Sequence, residues 1–158
     1  EANQGGALYA GYNNTVNITG GQFVGGRAVT NGSVLGCGGN IRIEGTSSNK
    51  TGKVNISGVA IVGGYSESNA GNFSAAYNTE MNLRHAYVAE GNSGDYGGNI
   101  AIGSGGTNVN YQDLIINKGV AFRGANIYNI LNFTLGGILC ETLSLISVFI
   151  GMSFFIIL

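Results

Sequence analysis

The chain has 158 residues, of which 44% are hydrophobic and only 9% are charged, so composition predicts one folded domain rather than a disordered segment. The net charge is −1 and the seven Lys and Arg residues are scattered, which excludes a general electrostatic attraction to nucleic acid. The 29 glycines and the absence of proline suit a turn-rich stack of strands, because proline would remove a backbone donor from the ladder.

A triplet that recurs at intervals of 27 to 33 residues is the strongest signal, and its first copy lies near the start of the sequence. In most copies a small residue precedes Asn, and an apolar residue follows. The five copies are Gly6-Ala7-Leu8, Gly39-Asn40-Ile41, Gly71-Asn72-Phe73, Gly98-Asn99-Ile100 and Ala125-Asn126-Ile127.

A second triplet, with Asn always at its centre, follows each copy of the first. Its copies are Val16-Asn17-Ile18, Val54-Asn55-Ile56, Met81-Asn82-Leu83, Val109-Asn110-Tyr111 and Leu131-Asn132-Phe133. Six residues after this Asn, the aligned positions are Phe23, Ile61, Val88, Ile116 and Ile138. Nine residues after it, they are Gly26, Gly64, Gly91 and Gly119.

Apolar and polar positions alternate along each repeat, which is the period of a half-buried strand. Each repeat is therefore predicted to hold about three short strands, and stacking buries each apolar column against its neighbours. We predict an all-β fold, a single-stranded parallel β-helix of about five rungs over 1–139, with an apolar C-terminal tail at 140–158. The extra residues at 27–37 and 45–53 are predicted to project as loops.

The two Asn columns suggest ladders of side-chain amides, because an amide carries both a donor and an acceptor and can bond to an identical group above and below. The alternative interpretation is that Asn only suits the backbone conformation of a corner. The two interpretations are compatible.

The segments Gly5-Gly6-Ala7-Leu8, Gly38-Gly39-Asn40-Ile41 and Gly97-Gly98-Asn99-Ile100 resemble the motif of polymorphic outer-membrane-protein repeats. The wider pattern, over about residues 5–139, is similar to right-handed β-helices of the pectin-lyase-like type. The resemblance implies a right-handed coil, and it implies a function among adhesins, surface proteins and polysaccharide-active enzymes. The fold alone does not choose among these functions.

The resemblance implies that a polysaccharide-active enzyme of this type would need carboxylates that converge on neighbouring rungs, either for acid–base catalysis or to bind calcium. The chain has eight acidic residues, and the alignment places no two of them in one column on adjacent rungs. We therefore predict no catalytic, cofactor-binding or metal-binding residues and no enzymatic activity. His85 and Asp113 share a column, as do Glu90 and Lys118, and both are read as exposed contacts between rungs. An intramolecular disulfide is not expected, because the alignment places Cys37 and Cys140 three rungs apart. Cys37 is predicted to be a free thiol, and the alternative is a disulfide between molecules.

Seven Asn-x-Ser/Thr sequons mark candidate sites for N-linked glycans, which would require a secreted chain. Asn13, Asn31 and Asn49 are predicted to lie in loops. The other four, in the ladder columns, are Asn17, Asn55, Asn72 and Asn132. A glycan on one of these four would break or reposition a ladder.

The segment after Thr142 carries no charge. Three interpretations stay open: a membrane anchor, a removable lipid-anchor signal, or a strand or helix that caps the rod or docks on a neighbouring molecule. The sequence has neither an initiator Met nor a signal peptide, so we expect a mature chain or a fragment of a longer one.

These features together predict an extracellular or cell-surface structural or display protein, a glycosylated rod that assembles end to end or is anchored. Its expected partners are copies of itself, N-linked glycans and, through 140–158, a membrane. A second hypothesis is a carbohydrate-active enzyme or carbohydrate-binding module, which requires a cleft with acids and stacked aromatic rings; Tyr9, Tyr12, Tyr65 and Tyr96 do not form one column. A third is an ice- or surface-binding protein, weakened because Arg84 and Gln112 interrupt a column of Thr and Ser.

Overall fold

The computed structural model describes residues 2–45, 52–103, 108–129 and 134–140. Within these ranges the chain is entirely strand, turn and loop, and it contains no helix, so none could span a bilayer. The predicted all-β class is confirmed. Residues 141–158 lie outside the described part of the chain, and the three interpretations of that tail stay predictions.

Fifteen strands form three parallel sheets. The first sheet contains β1 (Leu8–Ala10), β5 (Ile41–Glu44), β9 (Phe73–Ala76), β12 (Ile100–Ile102) and β14 (Ile127–Asn129), in that spatial order. The second contains, in spatial order, β2 (Thr15–Thr19), β6 (Gly52–Ser57), β10 (Thr79–Ala89), β13 (Asn108–Asn117) and β15 (Thr134–Cys140). In the same sheet β7 (Ala60–Val62) pairs with β10 on one side and with β3 (Gln22–Val24) on the other. The third contains β4 (Arg27–Ala28), β8 (Tyr65–Ser66) and β11 (Asn92–Ser93).

Every pairing between these strands is parallel, and each joins residues from successive repeats. Leu8 pairs with Ile41, Ile41 with Phe73, Phe73 with Ile100, and Ile100 with Ile127, as the first triplet predicts. Parallel strands with this offset are compatible with a β-helix-like fold, because a chain that advances by one strand spacing per repeat adds one strand to each sheet.

The fifth repeat departs from the predicted alignment by two residues. Asn110 pairs with Thr134 rather than with Asn132, and Leu114 pairs with Ile138 rather than with Gly136. The observed register therefore places Ile138, rather than Gly136, opposite Leu114.

The core consists of the apolar columns that face away from solvent in the first and second sheets. Its fully buried members include Ile41, Phe73, Met81, Leu83 and Ile100, none of which exposes any surface. The predicted column Phe23, Ile61, Val88 and Ile116 is confirmed by its pairing register. In the first repeat, Leu8, Val16, Ile18 and Phe23 are only partly buried, because their strands have neighbours on one side.

An inner ladder of four asparagines, in the column of the first triplet, lies inside this core. The amide nitrogen of Asn40 donates to Asn72 at 2.7 Å, that of Asn72 to Asn99 at 2.7 Å, and that of Asn99 to Asn126 at 2.8 Å. All four side chains are buried. The predicted amide ladder is confirmed.

Backbone groups complete the hydrogen bonds of the inner ladder. The amide nitrogens of Asn72 and Asn99 each also donate to a carbonyl, that of Ala89 and of Asn117, at 2.7 Å. Each ladder oxygen also accepts from the backbone N–H of one glycine. These glycines are Gly26, Gly64, Gly91 and Gly119, at 2.7 to 2.9 Å.

The glycine column has a steric cause, because the ladder and the backbone leave no room for a side chain. A Cβ on Gly64 would lie 2.1 Å from the carbonyl oxygen of Gly71 and 2.8 Å from the amide oxygen of Asn72. The Asn column and the glycine column therefore depend on each other. Each glycine N–H donates to an Asn oxygen, and the missing side chain of the glycine leaves room for the ladder.

An outer ladder in the column of the second triplet lies on the solvent side of the second sheet. Here the amide nitrogen of Asn55 donates to Asn17 at 2.7 Å, that of Asn82 to Asn55 at 2.8 Å, and that of Asn110 to Asn82 at 2.9 Å. Donation therefore runs toward lower residue numbers, opposite to the inner ladder.

Candidate functional site: a groove on the outer face of the first sheet

A groove of about 460 Å³ lies over the outer face of the first sheet. Its floor includes the outward column Arg42, Ser74, Ala101 and Tyr128, whose register is continuous across β5, β9, β12 and β14. These residues alternate with the core residues of the same strands, so they point away from the core. The volume falls within the range of small-molecule sites, about 300–1,000 Å³.

The loop between β4 and β5 supplies one wall of the groove, through Ser33, Val34 and Leu35. An antiparallel bridge between Asn31 and Val34 folds this loop back on itself. At its base the backbone N–H of Thr30 donates to the carboxylate of Glu67 at 2.8 Å. The predicted projecting loop at 27–37 is therefore partly a groove wall, although residues 27 and 28 are strand.

Arg42 is the main charged group of the groove floor. Although it lies on the outer face, only 7% of the residue is exposed. Its Nη1 donates to the hydroxyl of Ser74 at 2.6 Å, and its Nη2 lies 3.4 Å from a carboxylate oxygen of Glu44. The second oxygen of that carboxylate accepts from the hydroxyl of Tyr9 at 3.4 Å. Burial, and next the negative charge of Glu44, raise the pKa of Tyr9, which keeps that hydroxyl protonated.

Two buried polar atoms in the groove have no hydrogen-bond partner among the described residues. One is Nε of Arg42, a donor, and the other is the side-chain oxygen of Asn69, an acceptor. The amide nitrogen of Asn69 lies 3.7 Å from Sγ of Cys37, which also lines the groove. A buried donor or acceptor without a partner costs about 1–3 kcal/mol, so a bound water or a ligand that pairs with these two atoms would stabilise the chain.

Two tyrosines form an aromatic surface in the groove. The rings of Tyr96 and Tyr128 are stacked, with centroids 4.4 Å apart and planes inclined by 30°. The guanidinium carbon of Arg123 lies 5.6 Å from the centroid of the Tyr96 ring, which is a cation–π contact. Arg123 itself is not among the residues that line the groove. Tyr77 adds a third ring at the groove margin.

The predicted glycosylation sites fall into three groups. Asn13 and Asn31 are exposed, as a loop site requires, while Asn17 is exposed and Asn55 half-buried in the outer ladder. Asn72 is fully buried in the inner ladder, with its amide nitrogen donating to two acceptors. Asn49 and Asn132 lie outside the described residues.

The other predicted contacts are present. Nδ1 of His85 lies 3.3 Å from the carboxylate of Asp113, and the ammonium of Lys118 lies 3.3 Å from that of Glu90. Both pairs are exposed at corners where the backbone has positive φ. Cys37 is a free thiol, as predicted, and it is buried.

Sequence reasoning missed the groove, because its groups come from different columns. Tyr96 lies in the bridge column of Cys37 and Asn69, whereas Tyr128 lies in the strand column of Arg42. The available signal was the pair Arg42 and Glu44, two residues apart in an otherwise apolar strand, which places opposite charges on one face.

No protein-family model, curated protein or solved structure matches this chain. Among the residues that the structure describes, no three His, Cys, Asp or Glu side chains cluster to hold a metal ion.

Proposed function

We propose that this chain is an extracellular structural or surface-display protein, built as a single-stranded parallel β-helix of about five rungs. The observation that carries the proposal is the inner ladder, which continues without interruption from Asn40 to Asn126. A buried amide column with backbone partners at each level ties the second to fifth repeats together, while Ala7 occupies this column in the first repeat. A rod stiffened along its length serves spacing, display or filament formation.

The first-repeat edge supports self-association. In the described residues, β1, β2 and β3 each pair on one side only, whereas β4 is also bonded to Ala2 on its other side. Their inward side chains, such as Val16 and Ile18, remain partly exposed. A parallel strand that adds to this edge would satisfy its backbone groups and extend the apolar columns, which is the basis for end-to-end assembly.

The exposed sequons support a glycosylated outer surface. Asn13 has φ of 60° in the turn after β1, and Asn31 lies in the loop before β5, so both side chains are accessible to solvent. We propose these two as glycan carriers, and Asn49 stays a third prediction. Peptide mass spectrometry of secreted protein that found only unmodified Asn13 and Asn31 would remove the glycan part of the proposal.

Electron microscopy of the purified protein tests the assembly. Filaments with an axial repeat are expected, whereas discrete short particles at all concentrations would contradict end-to-end assembly. Val24→Lys places a charge on the edge strand β3, where Val24 is 63% exposed, and should shorten the filaments. Ile115→Lys is the control, because Ile115 is 37% exposed and lies in β13, which pairs on both sides within the stack.

A further inference from the structure

We propose that the groove over the first sheet binds a neutral saccharide, held between the Tyr96–Tyr128 stack and the unpartnered polar atoms of Arg42 and Asn69. This inference goes beyond the structural role and does not depend on it.

The ligand must both accept and donate hydrogen bonds. Nε of Arg42 requires an acceptor, and the side-chain oxygen of Asn69 requires a donor. Hydroxyl groups provide both functions from one atom, and a sugar ring carries several of them at fixed spacing. Both protein atoms are covered in the free chain, so binding is expected to include a small side-chain rotation that presents them to the ligand.

The charge of the groove favours a neutral ligand. Arg42 and Glu44 are the charged residues that line it, and their side chains lie 3.4 Å apart. The two charges offset each other, so the groove offers a charged ligand little net attraction, whereas a neutral ligand avoids the cost of removing a charge from water.

The stacked tyrosines favour a ring with an apolar face. Tyr96 and Tyr128 both line the groove, and aromatic side chains supply large apolar area at a low cost in conformational entropy. The C–H groups on one face of a pyranose ring form a flat apolar surface that matches such a platform. The hydroxyls at the edge of the ring then extend toward the polar atoms of the floor.

A peptide strand fits the groove less well than a sugar. The floor strands β5, β9 and β12 each pair on both sides, so their backbone groups are used within the sheet. An added peptide strand requires a free sheet edge, which this groove does not provide. Binding must therefore proceed through side chains, as it does for a saccharide.

The arrangement also predicts binding without cleavage. Hydrolysis of a glycosidic bond generally uses two carboxyl groups that flank the bond. Among the residues that the structure describes, Glu44 is the single acidic one in the groove lining, and its carboxylate is engaged by Arg42 and Tyr9. The groove can orient a sugar, but it lacks the second carboxyl group.

Neutral saccharide could come from two sources, an N-linked glycan of another copy or a polysaccharide outside the cell. Protein that carries no glycans of its own should be titrated by calorimetry with a released high-mannose N-glycan, with cellotetraose, and with trigalacturonate as the acidic comparison. Binding of the N-glycan alone identifies the first source, and binding of cellotetraose alone identifies the second. Tighter binding of trigalacturonate than of both neutral probes would overturn the proposal.

Two variants and a control locate the site. Tyr128→Leu removes one ring of the stack, and Arg42→Lys keeps the positive charge but removes Nε. Each should weaken binding of the neutral probe by about tenfold, while Tyr12→Leu, an exposed tyrosine outside the groove, should leave it unchanged. Circular dichroism confirms that each variant is folded. No binding of either neutral probe by folded wild-type protein at about 10 mM, or binding that both groove variants leave intact, would refute the proposal. So would binding of an unstructured peptide that the same variants abolish.

Discussion

The inner and outer ladders use the same side chain and the same amide-to-amide bond, yet they differ in what surrounds them. Asn72 in the inner ladder is fully buried and bonds to backbone groups as well as to its neighbours. Asn82 in the outer ladder is half-buried, and its amide otherwise meets only the carboxylate of Glu80 at 3.5 Å. Water can replace the bonds of Asn82 but not those of Asn72, so identical residues should differ greatly in their contribution to stability.

The largest loss in the free energy of unfolding is expected from a substitution in the glycine column that contacts the inner ladder. Gly64→Ala would place a Cβ 2.1 Å from a backbone oxygen, so the rung must shift, and we expect a loss of about 4–5 kcal/mol or no folding. Gly20→Ala is the matched control, since Gly20 has φ of 69° and nothing within 4 Å of the added Cβ. It should cost about 1 kcal/mol. Urea unfolding measures both, and equal losses would contradict the steric argument.

Removal of one inner amide should be nearly as costly. Asn72→Ala leaves the buried N–H of Gly64 without its acceptor and weakens the hydrogen bonds of Asn40 and Asn99. We expect a loss of about 3–5 kcal/mol in the free energy of unfolding. A loss below 1 kcal/mol would mean that the inner ladder is not a major support of the stack.

The same change in the outer ladder should be mild. Asn82→Ala removes bonds to Asn55 and Asn110, but the groups left behind remain accessible to water. We expect a loss of about 1 kcal/mol in urea unfolding. If Asn82→Ala proved as damaging as Asn72→Ala, burial would not be what distinguishes the two ladders.

The smallest effect concerns the ion pair beside the outer ladder. The ammonium of Lys53 lies 2.7 Å from the carboxylate of Glu80, and this hydrogen bond lowers the pKa of Glu80. A lowered folded-state pKa adds stability above the unfolded pKa of about 4.3, and this stability is lost as pH falls through the folded value. Lys53→Met should therefore cost about 0.2–1 kcal/mol at pH 7 and almost nothing near pH 2. A difference that did not change with pH would point to packing instead.

The columns of the fold were predictable because they follow from repetition. A residue that recurs at one place in every repeat must stack on its copies, so the register of Asn40, Asn72 and Asn99 needed no further information. The pairing of His85 with Asp113 followed for the same reason. The predicted register of the fifth repeat was wrong by two residues, because Asn132 was aligned with Asn110, whereas the strands pair Asn110 with Thr134.

The groove was not predictable, because it is a departure from the repeat. The column of Arg42 continues with Ser74, Ala101 and Tyr128. Because no residue type recurs in this column, the repeat pattern does not indicate a site there. The loop wall at Val34 and Leu35 occurs in one repeat only. The stack of Tyr96 and Tyr128 depends on how two columns face each other, which spacing along the chain does not specify. Repetition encodes the scaffold, and the exceptions to it encode the candidate site.

The opposite directions of the two ladders have an electrical consequence. Each amide carries a dipole, and aligned dipoles add, as they do along an α-helix. In the inner ladder the backbone fixes the direction, because each oxygen faces an N–H and the nitrogens of Asn72 and Asn99 face carbonyls. The outer ladder has no such constraint and takes the opposite sense. The summed amide dipoles of the two ladders therefore largely cancel. Additional repeats of the same kind would add no large net dipole along the stack.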